Sequence, residues 1–376
     1  MHILKGRGLS GAEGHVFNLS EKLIGLGVEV SILNVLDISK GRPSGKYKER
    51  SKSVESLGAD FWNLRVRSKV DFRAVGEMKR IIDQVGPDVV HTHMPYADMF
   101  GGVAAKLAGH APVISTRHHD YLTSWTDWLQ FVSYYSVADN FLDALIAVSG
   151  HVASQAKSYE RWSETDVHVV YHGCKDERIP QDTSRQEVCS SLGIPDSSTI
   201  ILSVGRLLDW KGHKYAVKAL RHLRDANEDV CWLIAGDGPQ RNPLRSLAYE
   251  LGVTDSLHLL GNRDDVPTLM SAADVLVHPS TSEAFGIVII EAMMQATPVI
   301  GSRAGAIPEI IDHRETGYLV EPADSEAISD AVCRLLEDPS KRKEMGAAAR
   351  RSYLRNYTLE EMTKNTLRVY DKCLRE

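Results

Sequence analysis

The chain has 376 residues, 43% hydrophobic and 25% charged, which is enough for two ordinary domains, each with a sizeable core. A net charge of −6 gives no global attraction to nucleic acid, so any anion site must be a local cluster, and no nucleic-acid partner is expected. Five cysteines, far apart and without CxxC spacing, argue against zinc and against a disulfide framework and fit a reducing cytoplasm.

The opening "MHILKGRGLSG" carries an apolar run too short for a signal peptide, and no stretch approaches the ~18 apolar residues of a spanning helix. Apolar runs then alternate with helical patterns through "EVSILNVL", "DVVHTHM", "DMFGGVAAKLAG", "PVISTRH", "ALIAVS" and "VHVVYHG". A polar, proline-containing stretch, "GCKDERIPQDTSRQEVCSSLGIPDSS", reads as a linker with a short helix. The rhythm resumes with "TIILSVG", "KYAVKALRHLRDA", "CWLIAGDG", "RNPLRSLAYELG", "LHLLG", "DDVPTLMSAA", "VLVHPS", "GIVIIEAMMQA" and "PVIGS". After Asp338 only two helical patterns remain, expected to brace the domains from outside. The fold class is therefore α/β, with two doubly wound parallel sheets of about six strands each. The expected domains are 1–175, with a helix at about 355–376 packing back on it, and 176–354.

Open α/β sheets bind ligands beyond the carboxyl ends of their strands, and two such domains facing each other form an interdomain cleft. The motifs fall at strand ends: "SGAEG", "TRHHD", "GRLLDWKG", "GNRDD" and "STSEAFG". In "VGRLLDWKGH", Arg206 and Lys211 follow a buried strand and flank a glycine-bounded turn, which suits a phosphate; the alternative is a solvated loop. In "SEAFGIVIIEAM", Glu283 and Glu291 frame an apolar heptad. On one continuous helix they would be separated by about 12 Å and roughly 80°, so they would share no face. The spacing fits a Glu283 in the loop before a helix and a Glu291 inside it, both looking at one ligand past the helix N-terminus. The amides of Ala284, Phe285, Gly286 and Ile287 would attract a diphosphate there, and Glu291 would take ribose hydroxyls, the alternative being a capped buried glutamate.

Together "GRLLDWKG", "SEAFGIVIIEAM" with its E-x7-E spacing, "TPVIGSRAGAIPEII" and "TGYLVEPAD" resemble the family 4 retaining glycosyltransferases of the GT-B fold. The match is specific from about Ile200 to Leu336. In the first half it rests on "SGAEGHV", on Thr116 to His118 and on "VVYHG", where His172 replaces the family's usual asparagine and Ser10-Gly11 its usual pair of glycines. The resemblance implies that Arg206 and Lys211 hold the donor diphosphate, Glu291 the ribose, and Glu283 with the following amides the transferred sugar. Asn262 and Arg263 of "GNRDD" join the donor-binding set, and Gly11 would approach the phosphate where a side chain would collide. His118 would reach the donor sugar; His119 is its rival, and the T-x-H register selects His118. His91 and His93, also at a strand end, read as structural histidines. The implied reaction retains anomeric configuration and uses neither cofactor nor metal: no D-x-D triplet, the metal-binding signature of the other major nucleotide-sugar transferase fold, occurs in the chain.

Three rival readings remain. "GRGLSG" satisfies G-x-G-x-x-G with Gly6, Gly8 and Gly11, and Asp37 ends the next strand, as in an NAD-dependent enzyme. A sugar-nucleotide epimerase of similar fold is nearer, and a non-catalytic binding module is the third. The expected partners are a UDP- or GDP-sugar donor and a saccharide or lipid-linked acceptor, in cell-envelope glycan or glycolipid synthesis. Two stretches are candidates for peripheral membrane contact: the basic one carrying Lys40, Arg42, Lys46, Lys48, Arg50 and Lys52, and the aromatic "SWTDWLQFVSYY".

Overall fold

The computed structural model describes residues 1–6, 11–37, 43–67, 71–109, 111–118, 138–159, 166–226 and 229–376. They divide into two compact units, Met1–Gly173 with Leu359–Glu376, and Cys174–Thr358.

The first unit carries β1 (His2–Leu4), β2 (Ser31–Asp37), β3 (Asp60–Val66), β4 (Val90–His93), β5 (Val113–Arg117), β6 (Ala144–Ala147) and β7 (Val167–Val169), all parallel, in the order β3-β2-β1-β4-β5-β6-β7. Helices cover both faces, so successive strand residues enter opposite cores: Ile3 and Leu33 pack in one, Leu4 and Ile32 in the other. The sheet has seven described strands rather than about six. The one missed is β3, "DFWNLRV", an edge strand whose residues are mostly exposed or half-buried and so lack the apolar run that marks its neighbours. The basic stretch is in part helical. Residues Gly45–Ser56 form a helix, capped by Ser44 and anchored by buried Tyr47 and Val54, and Arg50 is tied to Glu21 and Asn18; Lys40 and Arg42 lie outside the described residues.

The second unit holds β8 (Thr199–Val204), β9 (Val230–Ala235), β10 (Leu257–Gly261), β11 (Val275–His278), β12 (Val299–Ser302) and β13 (Gly317–Val320), again all parallel, ordered β10-β9-β8-β11-β12-β13. Its core joins these strands to helical stripes; His213–Asp225 buries Ala216, Val217, Ala219, Leu220 and Leu223, the three-four spacing of one helix face. Of the two C-terminal helices, Pro339–Asn356 belongs to this unit and Leu359–Arg375 to the first, where Leu359, Met362, Val369 and Tyr370 enter the core.

One buried ionic cluster fixes the end of β5. Arg117 is almost wholly enclosed and donates to Asp98 at 2.6 Å and to Asp139 at 2.5 Å, while Thr92 and Ser115 donate to Asp98. Removing one partner of such a cluster leaves uncompensated buried charge. Arg117→Met is therefore expected to cost about 3–5 kcal/mol, read as a lowered urea midpoint at neutral pH.

Candidate functional site

In the second unit's sheet the strands add in one direction from β8 to β10 and in the other from β11 to β13. The loops after β8 and β11 therefore flank the point where the order reverses, the usual ligand position in an open parallel sheet. The two loops are knitted together. The amide of Thr281 donates to the carbonyl of Trp210 at 2.8 Å. Gly212, with φ of +69°, lies so close to Pro279 that a Cβ would sit 1.9 Å from its carbonyl oxygen, so no other residue fits. From the far side, a Cβ on Gly305 would come within 2.1 Å of the Glu283 carbonyl oxygen, and the Ala306 amide donates to that oxygen at 2.9 Å. The "DWKG" and "AGAIPE" motifs are thus backbone fittings that fix where Lys211 and Glu283 stand.

Their side chains meet. Lys211 Nζ lies 2.6 Å from Glu283 Oε2, and the same oxygen is 3.0 Å from Nε2 of His278, the last residue of β11. Because a carboxylate only accepts, His278 carries its proton on Nε2, and Ser280 Oγ, 3.2 Å away, is its second neighbour. Burial pushes the Glu283 carboxyl upward, but Lys211 and the His278 hydrogen bond outweigh it and hold the group at about 2, ionised at any physiological pH. His213, buried beside Lys211, is lowered to about 3 by burial with His278 and Lys211 nearby, so it stays neutral. Of the three ammonium protons of Lys211, Glu283 takes one, and two remain to donate to other acceptors.

Glu283 stands in the loop ahead of the helix Ile287–Met294, and Glu291 in that helix's second turn. Burial raises the Glu291 carboxyl to about 7, and among the described residues no hydrogen bond or ion pair reaches it, although a strip of the residue remains open to solvent. It is an acceptor waiting for donors. Gly286, with φ of +109°, turns the chain into the helix, so of the four residues whose amides were expected to open it only Ile287 is helical; Ala284, Phe285 and Gly286 form the turn before it. The Phe285 ring is buried edge-on to Tyr357 and serves packing.

Arg206 is exposed just past β8, its guanidinium making no ion pair among the described residues. Asn262 is exposed after β10, whereas Arg263 is forked onto Asp265 at 2.8 and 2.6 Å, a local pairing that compensates its charge. Gly11 and His118 lie in the first unit: Gly11 is exposed at the start of the helix Gly11–Gly25, and His118 follows β5, with its Nε2 3.3 Å from His93 Nδ1. His119 and the aromatic stretch 124–135 lie outside the described residues. His278, Ser280 and His213 were not among the sequence candidates. A histidine closing the strand five residues before Glu283 was the available signal for His278.

Comparison with known proteins agrees with this layout. The profile of Glycosyl transferases group 1 matches residues 184–352, and that of Glycosyltransferase Family 4 matches residues 9–178. Alpha-maltose-1-phosphate synthase of Mycolicibacterium smegmatis is 30% identical over 310 residues, covering 76% of this chain and 79% of its own. The chain is a group 1, family 4 glycosyltransferase. An uncharacterized glycosyltransferase of Methanocaldococcus jannaschii is 28% identical over 376 residues, covering 95% of this chain and 93% of its own. The structure of Anabaena HepE in complex with UDP-glucose superposes with a TM-score of 0.81 at 21% identity, covering 99% of this chain and 100% of that one, and the fold of this glycosyltransferase is accordingly GT-B.

The raised carboxyl of Glu291 has a signed consequence. Between about 4.5, its ordinary value, and 7 the folded state binds the proton that the unfolded state has lost, so this group makes stability fall as pH rises. Glu291→Gln should raise stability at about pH 8 by on the order of 1–3 kcal/mol and leave it unchanged near pH 4, compared by thermal melting with the wild type.

Proposed function

We propose that this glycosyltransferase moves a sugar, with retention of configuration and without a metal ion, from a UDP- or GDP-sugar to a saccharide or lipid-linked acceptor. The observation that carries the reading is the Lys211–Glu283–His278 group at the sheet's reversal point, with the helix start of Ile287 beside it. Breaking a sugar–phosphate bond builds negative charge on the leaving diphosphate and oxocarbenium character on the sugar. Arg206, the two unused Lys211 protons and the helix N-terminus supply positive charge for the first; ionised Glu283 is available to the sugar hydroxyls and to the positive sugar carbon. Glu291 takes the ribose hydroxyls, which are the donors its carboxylate lacks. The acceptor O–H adds to the anomeric carbon on the face from which the phosphate leaves, and its proton passes to a leaving-phosphate oxygen. His118, from the first unit, would hydrogen bond the sugar near the reacting carbon.

The dinucleotide reading is less well supported, because Asp37, which would have to read a ribose, is 1% exposed and lies 3.4 Å from Lys5. An epimerase would share the donor site but turn over nucleotide sugar with no acceptor present. A cell-envelope acceptor accords with the exposed Lys48 and Lys52, a turn apart on the helix Gly45–Ser56, which suit an anionic headgroup or glycan. No helix among the described residues is long and apolar enough to cross a membrane.

A panel of nucleotide sugars with saccharide acceptors tests the reading, and transfer should survive a chelator. Arg206→Ala should weaken UDP or GDP binding by about tenfold to a hundredfold in calorimetry, the value of one or two hydrogen bonds to a charged group, while leaving the fold intact. His118→Ala should still bind nucleotide yet lose most turnover, because its help belongs to the reacting pose.

A further inference from the structure

The first unit gathers six imidazoles, His2, His15, His91, His93, His118 and His172, in one cluster of ring contacts around the carboxyl ends of β4 and β5. Five of them are buried. The transfer reaction needs one. His91 is fully engaged as scaffold, with Nδ1 2.6 Å from the Tyr370 hydroxyl and Nε2 2.7 Å from Thr116 Oγ1. The others divide by their nitrogens. His93 uses Nε2 on His2 Nδ1 at 3.1 Å, and His15 uses Nδ1 on His172 Nδ1 at 3.0 Å. His93 Nδ1 faces His118 Nε2, and one ligand nitrogen from each of His15, His93 and His118 lies within 4.8 Å of the other two.

We propose that His15, His93 and His118 form a three-histidine site for a divalent transition-metal ion of the zinc class, with a fourth position open to water or another ligand. Two nitrogens bound tetrahedrally at about 2.0–2.1 Å from zinc stand about 3.3–3.4 Å apart, and His93 Nδ1 and His118 Nε2 are 3.3 Å apart. A hydrogen-bonded chain of imidazoles accounts for that distance too, but it leaves His15 Nε2, which is buried and makes no hydrogen bond, unexplained. A metal ion uses it. Each of His15 and His93 has its remote nitrogen held by another imidazole, the arrangement that orients a metal-bound histidine and fixes its tautomer. Burial keeps His15 neutral, lowering it to about 4, and lowers His93 as well, so both are in the form that binds metal at neutral pH.

The cysteine spacing bears only on thiolate sites; three imidazoles are a different ligand set. The site's ligands belong to the first unit, whereas Arg206 and Lys211, proposed for the donor diphosphate, belong to the second. Its consequence for catalysis rests on the functional reading above: a metal ion that takes His118 withdraws it from the sugar, so an occupied site slows transfer and a chelator restores it.

The test uses the full chain, stripped of metal and titrated with Co²⁺ and then Zn²⁺. The expected result is one equivalent of Co²⁺ with the visible bands of tetrahedral nitrogen ligation, displaced by Zn²⁺. Loss of a ligand in His15→Gln or His93→Gln should weaken zinc binding by more than the roughly 10–100-fold expected for the outer partner in His172→Gln. Nucleotide binding, measured on the same variants, shows that they are folded. Absence of a tetrahedral Co²⁺ spectrum, or zinc affinity undiminished in both folded ligand variants, would overturn the site. Stoichiometric zinc with unchanged transfer would uphold the site and count against the role of His118 in the reaction.

Discussion

Glu283 is an ionised carboxylate set into protein at the carboxyl end of a parallel strand, which it can be only because Lys211 and His278 stand within hydrogen-bond reach of one of its oxygens. Much of the local architecture serves that requirement. The loop after β8 must deliver Lys211, the loop after β11 must deliver Glu283, and the two must touch. Gly212 and Gly305 permit backbone contacts that any side chain would block, from opposite sides of the same loop. The pair is also a stored response to charge. On the proposed reading, a diphosphate arriving at Lys211 and Arg206 would compete with Glu283 for the ammonium, leaving the carboxylate freer to engage the sugar carried on that diphosphate. Ground-state pairing and the proposed transition-state stabilisation would then draw on the same three groups.

The first unit solves a different problem. A cluster of imidazoles is packed where strand order also reverses, between β1 and β4, and burial holds His2, His15, His91, His93 and His172 neutral. The buried Arg117–Asp98–Asp139 network sets the direction of the neighbouring residue: with Arg117 turned into the body of the unit, the alternation of a strand sends Thr116 to His91 and His118 to His93. The T-x-H spacing in the sequence is thus two steps along one face. Convergent imidazole nitrogens are useful to a sugar hydroxyl and equally to a metal ion.

What could be read from the sequence was what leaves a periodic or a motif-level trace. Strands buried on both faces, such as "TIILSV" and "VCWLIA", announced themselves; β3, with its exposed edge, did not. The placement of Glu283 before a helix and Glu291 within it followed from helical geometry alone. Lys211 was legible as a cation at a strand end, but its partner was not, because an ion pair spanning residues 211 and 283 depends on two loops meeting across β8 and β11. Arg263 had the same signature as Arg206, and only the structure shows it forked onto Asp265. The histidine cluster was invisible for a similar reason: His15, His93 and His118 come from three separate elements with no ligand spacing to mark them.

On the proposed reading, Glu283 serves the transferred sugar while Lys211, Arg206 and Glu291 serve the nucleotide. Calorimetric titration of Glu283→Gln and Glu291→Gln with the bare nucleoside diphosphate and with its sugar conjugate tests that division directly. The account predicts that Glu283→Gln binds the bare nucleotide at least as well as the wild type, since Lys211 is released to the phosphates, yet loses the extra affinity contributed by the sugar, whereas Glu291→Gln is weakened toward both. Bare-nucleotide affinity falling as far in Glu283→Gln as in Glu291→Gln would contradict it.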